Sequence, residues 1–127
     1  MNVPRREPTG VVKMVGRYGL SKRVTYISFS LHIMKELARL APAKTQLMYL
    51  GGGTLPKDLK AMGLTGCDFN YGVYLNNPTW LNDIKALKMA SNVWTVNNPA
   101  DMIWAIENRV DFITTDRPDL FLKLTRK

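Results

Sequence analysis

Apolar and polar residues along this chain follow two periods, and the two alternate. Thr9 is placed to cap a helix running to about Arg17, with Val11, Val12, Met14 and Val15 on one side. Tyr18-Gly19 stops it, because glycine accepts the left-handed conformation that ends helices. Val24 to Phe29 is a β-branched and aromatic run and predicts a strand. Ser30 then caps a second helix, whose apolar residues Ile33, Met34, Leu37, Ala38 and Leu40 follow helical spacing until Ala41-Pro42. Gln46 to Leu50 reads as the next strand and leads into Gly51-Gly52-Gly53, a flexible loop. Pro56 opens a short helix, Lys57 to Met62, from the first-turn position proline tolerates, and Gly63 ends it. Cys67 to Tyr71 is a weaker strand pattern. Pro78 opens a helix through about Lys88, with Trp80, Leu81, Ile84 and Leu87 inward. Asn92 to Val96 is a strand. Asn97 or Asn98 caps the helix that follows, with Pro99 in its first turn and Met102, Ile103, Ala105 and Ile106 on its apolar face. Asp111 to Thr115 is the last strand and Pro118 to about Thr125 the last helix.

Strands alternating with helices of about ten residues imply an α/β fold with parallel strands and right-handed crossovers. The spacing leaves an open sheet and part of a closed barrel equally possible. The 127 residues suffice for one core, whereas a complete eight-stranded barrel needs about 250. No apolar run reaches the length of a membrane span, and no apolar segment follows the charged start as in a secretory signal. The compartment stays open, with cytoplasm the default. The lone Cys67 excludes an intrachain disulfide and is expected to pack as a small hydrophobe. The net charge of +8 is spread over helix patterns and helix ends, without a zinc-finger, helix-turn-helix or single-strand stacking signature. Nucleic acid is therefore not the expected partner. Gly51-Gly52-Gly53 lacks the spacing of a dinucleotide or phosphate loop.

Two stretches carry a more specific signal. Val93-Trp94-Thr95-Val96-Asn97-Asn98-Pro99-Ala100-Asp101 is followed by Val110-Asp111-Phe112-Ile113-Thr114-Thr115-Asp116-Arg117-Pro118. In order and separation they resemble the end of the glycerophosphodiester phosphodiesterases. Upstream, Tyr18-Gly19-Leu20, Arg23-Val24 and Ile27-Ser28-Phe29-Ser30 resemble that family's fifth strand and its lead-in, and Leu37 to Pro42 the helix after it. The resemblance implies a (β/α)8 TIM-type barrel, of which residues 1–127 would be the C-terminal half. On that count four strands complete the barrel, and the Cys67–Tyr71 run would be an extra strand in a long loop. Arg109 and Phe112 stand where the family usually has glycines.

The reaction implied is hydrolysis of a glycerophosphodiester to an alcohol and glycerol 3-phosphate. A divalent cation, magnesium or calcium, is held by carboxylates, and two histidines act as acid and base. The resemblance implies that these groups come from the family's first four strands: a histidine-arginine-glycine motif, a glutamate-x-aspartate pair, a second histidine near an aspartate and a later glutamate. This sequence has one histidine, His32, without arginine-glycine after it, and its glutamates Glu7, Glu36 and Glu107 are not paired with aspartates at that spacing. No catalytic or metal residue can be carried over, and the chain is expected to be inactive alone. The resemblance leaves Trp94 and Phe29 as substrate-binding residues near the glycerol moiety. Asn97 and Asp116 end strands at the same rim, with capping or a turn the simpler role for each. Half a barrel has two raw edges and an inner face on which Val24, Ile27, Val93 and Ile113 would be partly exposed, so a homodimer or pairing with an N-terminal half is expected. The alternative is a non-catalytic module that binds an anionic or phosphorylated ligand, which the charge would favour.

Overall fold

The computed structural model describes residues 7–19 and 24–125. The lead-in Leu20–Arg23 and both chain ends lie outside the described residues. Five strands form one parallel sheet in chain order: β1 (Thr25–Ser28), β2 (Gln46–Tyr49), β3 (Gly66–Asn70), β4 (Ala90–Trp94) and β5 (Phe112–Ile113). The helices are α1 (Glu7–Arg17), α2 (Leu31–Leu40), α3 (Pro56–Ala61), α4 (Tyr71–Asn76), α5 (Trp80–Ala86), α6 (Pro99–Glu107) and α7 (Pro118–Thr125). No described helix is long and apolar enough to cross a membrane.

Two capping expectations are met. The Ser30 hydroxyl accepts from the Ile33 amide at 3.2 Å, and Asn98 Oδ1 accepts from the Asp101 amide at 2.9 Å, with Pro99 at the start of α6. Thr9 is not a cap, because α1 already begins at Glu7. On α6 the core side is Met102 and Ala105, while Ile103 and Ile106 face outward.

The largest departure from the sequence reading is β3. It is no loop strand but the middle of the sheet, paired over its whole length with β4 and against β2 on its other side. Its neighbours leave no space at Gly66, where a Cβ would stand 2.9 Å from the Ala90 carbonyl oxygen. Directly after it comes α4, a short helix capped by Asn70, whose Oδ1 accepts from the Gly72 amide at 2.8 Å. The first two glycines of the triple-glycine loop are packed rather than free. A Cβ on Gly51 would collide with Tyr49, and one on Gly52 with Val73.

Register sorts the strand residues onto two faces. Tyr26, Leu47, Tyr49, Cys67, Phe69 and Val93 point to the helices and form the core with Met34, Leu37, Leu59, Ile84 and Met102. Burial pushes the Cys67 thiol up to about 12, so it stays protonated and inert. The Tyr74 hydroxyl donates to the Asn92 carbonyl at 2.8 Å, tying α4 to β4. Val93 is fully buried against the helices instead of lying on the open face, whereas Ile27 is 53% exposed; Val24 and Ile113 are half-buried.

Three helices hand the chain to the next strand by the same device. After α3, α5 and α6 the residues Gly63, Lys88 and Arg109 take positive φ (90°, 58° and 56°). The following amides, Leu64, Met89 and Val110, donate back to Leu59, Ile84 and Ala105 at 3.0–3.1 Å. This is the Schellman ending, in which glycine is at home and a side chain is strained. Arg109 thus holds a glycine geometry where the resembled family has glycine. Lys88→Gly and Arg109→Gly are each expected to stabilise by about 0.5–1 kcal/mol, read as a higher urea midpoint; a lower midpoint for both contradicts this geometry.

Candidate functional site

The face of the sheet away from the helices is concave and carries Thr25, Ile27, Gln46, Met48, Asp68, Asn92, Phe112 and Thr114. At its C-terminal rim, where parallel strands present their loops, a cleft of about 260 Å³ is lined by Ile27, Phe29, Leu50, Asp68, Trp94, Thr95 and Thr114. Both residues singled out in the sequence stand here. Phe29 follows β1 and Trp94 ends β4, three strand spacings apart, or about 14 Å along a flat sheet. Yet their rings meet edge to face, with centroids 6.0 Å apart and planes at 86°. The sheet must coil for that contact to form. Trp94 is oriented by its indole N–H, which donates to the Asp68 carbonyl at 2.8 Å. Phe29 is 63% exposed.

Asn97 and Asp116 are brought together, and neither caps a helix. Asn97 Nδ2 donates to Asp116 Oδ2 at 3.0 Å, and Asn97 Oδ1 accepts from the Asp116 amide at 2.8 Å. At the other end of β5, Asp111 accepts from the Ser91 amide at 2.9 Å and its own amide donates to the Ser91 hydroxyl at 3.1 Å. These side-chain bonds hold a strand of only two residues at the sheet edge. His32 lies exposed on α2, away from the cleft lining.

Asp68 is the residue the sequence reading passed over. It is the one acidic side chain among the described residues that line the cleft, and it is 4% exposed. Asn92 Nδ2 donates to it at 2.8 Å. Burial raises its pKa, and the Asn92 hydrogen bond offsets only part of that. A carboxyl whose folded pKa is raised binds its proton more tightly in the folded chain. The folded state is therefore favoured below the ordinary carboxyl pKa, and that advantage is lost as pH rises through the raised value. Asp68→Asn is expected to be more stable than the parent at pH 7 and to lose that margin near pH 3, measured as urea midpoints at both pH values. A margin that grows on acidification contradicts the assignment.

No three His, Cys, Asp or Glu side chains come together among the described residues. Asp68 by itself does not make the cage of oxygen ligands that magnesium or calcium takes. The described residues thus do not fit the cation site that the resemblance implies.

Comparison with known proteins places this arrangement. The sequence pattern of the glycerophosphoryl diester phosphodiesterase family matches residues 6–120. A glycerophosphodiester phosphodiesterase of Caldanaerobacter subterraneus subsp. tengcongensis is 29% identical over 122 residues, covering 92% of this chain and 48% of that protein. The crystal structure of a glycerophosphodiester phosphodiesterase from Parabacteroides distasonis superposes with a TM-score of 0.90 at 43% identity, over 98% of this chain and 53% of the other. That from Thermotoga maritima gives 0.76 at 19% identity, over 95% and 54%, and shows the same fold. The chain spans about half the length of the relatives it matches. Its sheet and helices are the C-terminal part of their (β/α)8 TIM-type barrel, and the chain belongs to the glycerophosphoryl diester phosphodiesterase family.

Proposed function

We propose that this chain supplies the substrate-side strands of a glycerophosphodiester phosphodiesterase and hydrolyses nothing by itself. The observation that supports this reading is the concave face. It offers an aromatic rim, Phe29 and Trp94, and a single carboxylate, without an acid–base pair among its lining residues. Attack on a phosphodiester needs its charge offset and protons moved at neutral pH. In this reading residues 1–127 are a partial domain. The two histidines and the carboxylates for magnesium or calcium come from the strands that complete the barrel. The part played here is binding: Trp94 and Phe29 pack on the glycerol moiety and keep water from it, and the substrate is converted to an alcohol and glycerol 3-phosphate only in the completed barrel.

The described residues form five strands, so in a barrel of eight three more are required and β1 stands fourth, not fifth as the resemblance alone implied. A second copy would bring five and make ten, so the fitting partner is a three-stranded N-terminal segment rather than a homodimer. The reading of the chain as a module for anionic ligands draws less support, because no described lysine or arginine lines the cleft and Asp68 would repel an anion. The test is hydrolysis of a glycerophosphodiester by the chain alone and after the three-stranded segment is supplied, with turnover expected only in the mixture.

A further inference from the structure

We propose that the end of the sheet where the strands begin, opposite the cleft, is a docking surface for an anionic lipid bilayer, with Lys44, Lys88 and Arg109 as its main contacts.

These three cations stand where the backbone favours a different residue. Each strand is preceded by one residue at positive φ: Gly19, Lys44, Gly63, Lys88 and Arg109. Glycine enters that region freely, and asparagine or aspartate is the usual substitute. Here lysine or arginine fills three of the five places, with all three side chains exposed. Strain kept at an exposed position points to a use for the side chain. Attraction to a helix C-terminus does not account for the set, because that effect fades beyond the last turn and Lys44 lies past Pro42-Ala43, outside α2.

The helices run back to the same end, so their last turns add Arg17, Lys60 and Lys85. Lys85 Nζ donates to the Asn108 carbonyl at 2.8 Å, which holds it there. The ion pairs among the described residues are Glu36–Arg39 and Asp119–Arg117, and neither involves these cations. The acidic residues at this end are Glu107 and Asp111, and Asp111 is turned to the Ser91 amide at 2.9 Å. At the opposite end Asp58, Asp83, Asp101 and Asp119 occupy the first turns of their helices. The chain is therefore electrically polar along its strands. A negative surface would take it by the basic end, with the cleft facing away, and strands added at β1 or β5 would leave that end uncovered.

A bilayer suits this end better than nucleic acid does. The helices terminate here and none lies along it to enter a groove. Tyr18, beside Arg17 and 71% exposed, is the aromatic at this end. One ring is not the row on which successive bases stack, whereas tyrosine fits the layer between headgroups and water.

The test is co-sedimentation of the chain with phosphatidylcholine vesicles, with and without phosphatidylglycerol. Binding is expected only with phosphatidylglycerol and is expected to fall as salt is added. Lys44→Gly, Lys88→Gly and Arg109→Gly combined suit the backbone and spare the fold. Their expected effect is about fivefold weaker binding for each charge, or about a hundredfold together. Lys35→Gln, Lys57→Gln and Arg117→Gln combined remove the same charge nearer the cleft end, and are expected to cost less than about threefold because salt screens charges beyond about 10 Å. Four results overturn the proposal: no binding, equal binding to phosphatidylcholine alone, equal losses in the two triple variants, or tighter binding to a DNA duplex that the glycine variant abolishes. The phosphodiesterase reading concerns the other end of the strands and stands or falls separately.

Discussion

Phe69→Ala is expected to cost about 3–5 kcal/mol and to leave much of the protein unfolded. Phe69 lies on the central strand with its ring fully buried toward the helices. It packs on Tyr74 at 5.7 Å and Trp80 at 5.6 Å between ring centroids, so one side chain joins β3 to α4 and to α5. Removing it opens a cavity at the point where three elements meet, and none of them can close it without leaving the sheet. A typical domain has about 5–15 kcal/mol in total, and a sheet with two unpaired edges is expected near the lower end. Phe69→Leu keeps most of the volume and should cost less than half as much. Circular dichroism with urea titration reads both variants. A loss below about 1 kcal/mol for Phe69→Ala would mean that β3 is not the centre of the core.

The second large effect concerns the chain in solution. Among the described residues β1 and β5 are each paired on one side only, and unpaired strand edges recruit other chains. The concave face adds Ile27, Phe29 and Phe112, which are 53%, 63% and 58% exposed. On the opposite surface Leu122 and Leu124 of α7 are also exposed. Sedimentation velocity is expected to show concentration-dependent association, driven largely by the concave face. Ile27→Lys together with Phe112→Lys should shift the population toward monomer, because like charges would then face each other across any contact. A sharp monomer at all concentrations, with a cooperative melt, contradicts this picture of an unfinished surface.

Much of the architecture was legible from sequence because strong local signals agree with it. The Ser30 and Asn98 caps, the proline starts of α3, α6 and α7, and the β-branched core of β1 all act within a few residues. The misses share a cause: what decides them is nonlocal. β3 reads poorly because Gly66 and Asp68 face the concavity, where close approach and chemistry set the residue, and only Cys67 and Phe69 show the core. α4 has six residues and too little length for a helical period. Val93 and Trp94 are neighbours on one strand and so face opposite sides: with Asn92 and Trp94 at the cleft, Val93 points to the helices. Ile103 and Ile106 look like core on a helical wheel but lie outward. At the site, the motif around Trp94 was legible through family resemblance, and the signal for Asp68 was a charged residue inside a strand of apolar neighbours. The pairing of Asn97 with Asp116 joins residues nineteen positions apart, which no local rule anticipates.

The most direct measurement is hydrolysis of glycerophosphocholine in magnesium or calcium, by the purified chain alone and after mixing with the first three β/α units of a close relative. The account predicts no turnover by the chain alone and metal-dependent turnover on mixing. Turnover by the chain alone, abolished by a chelator, would contradict it and would place the catalytic groups among residues assigned here to binding and structure.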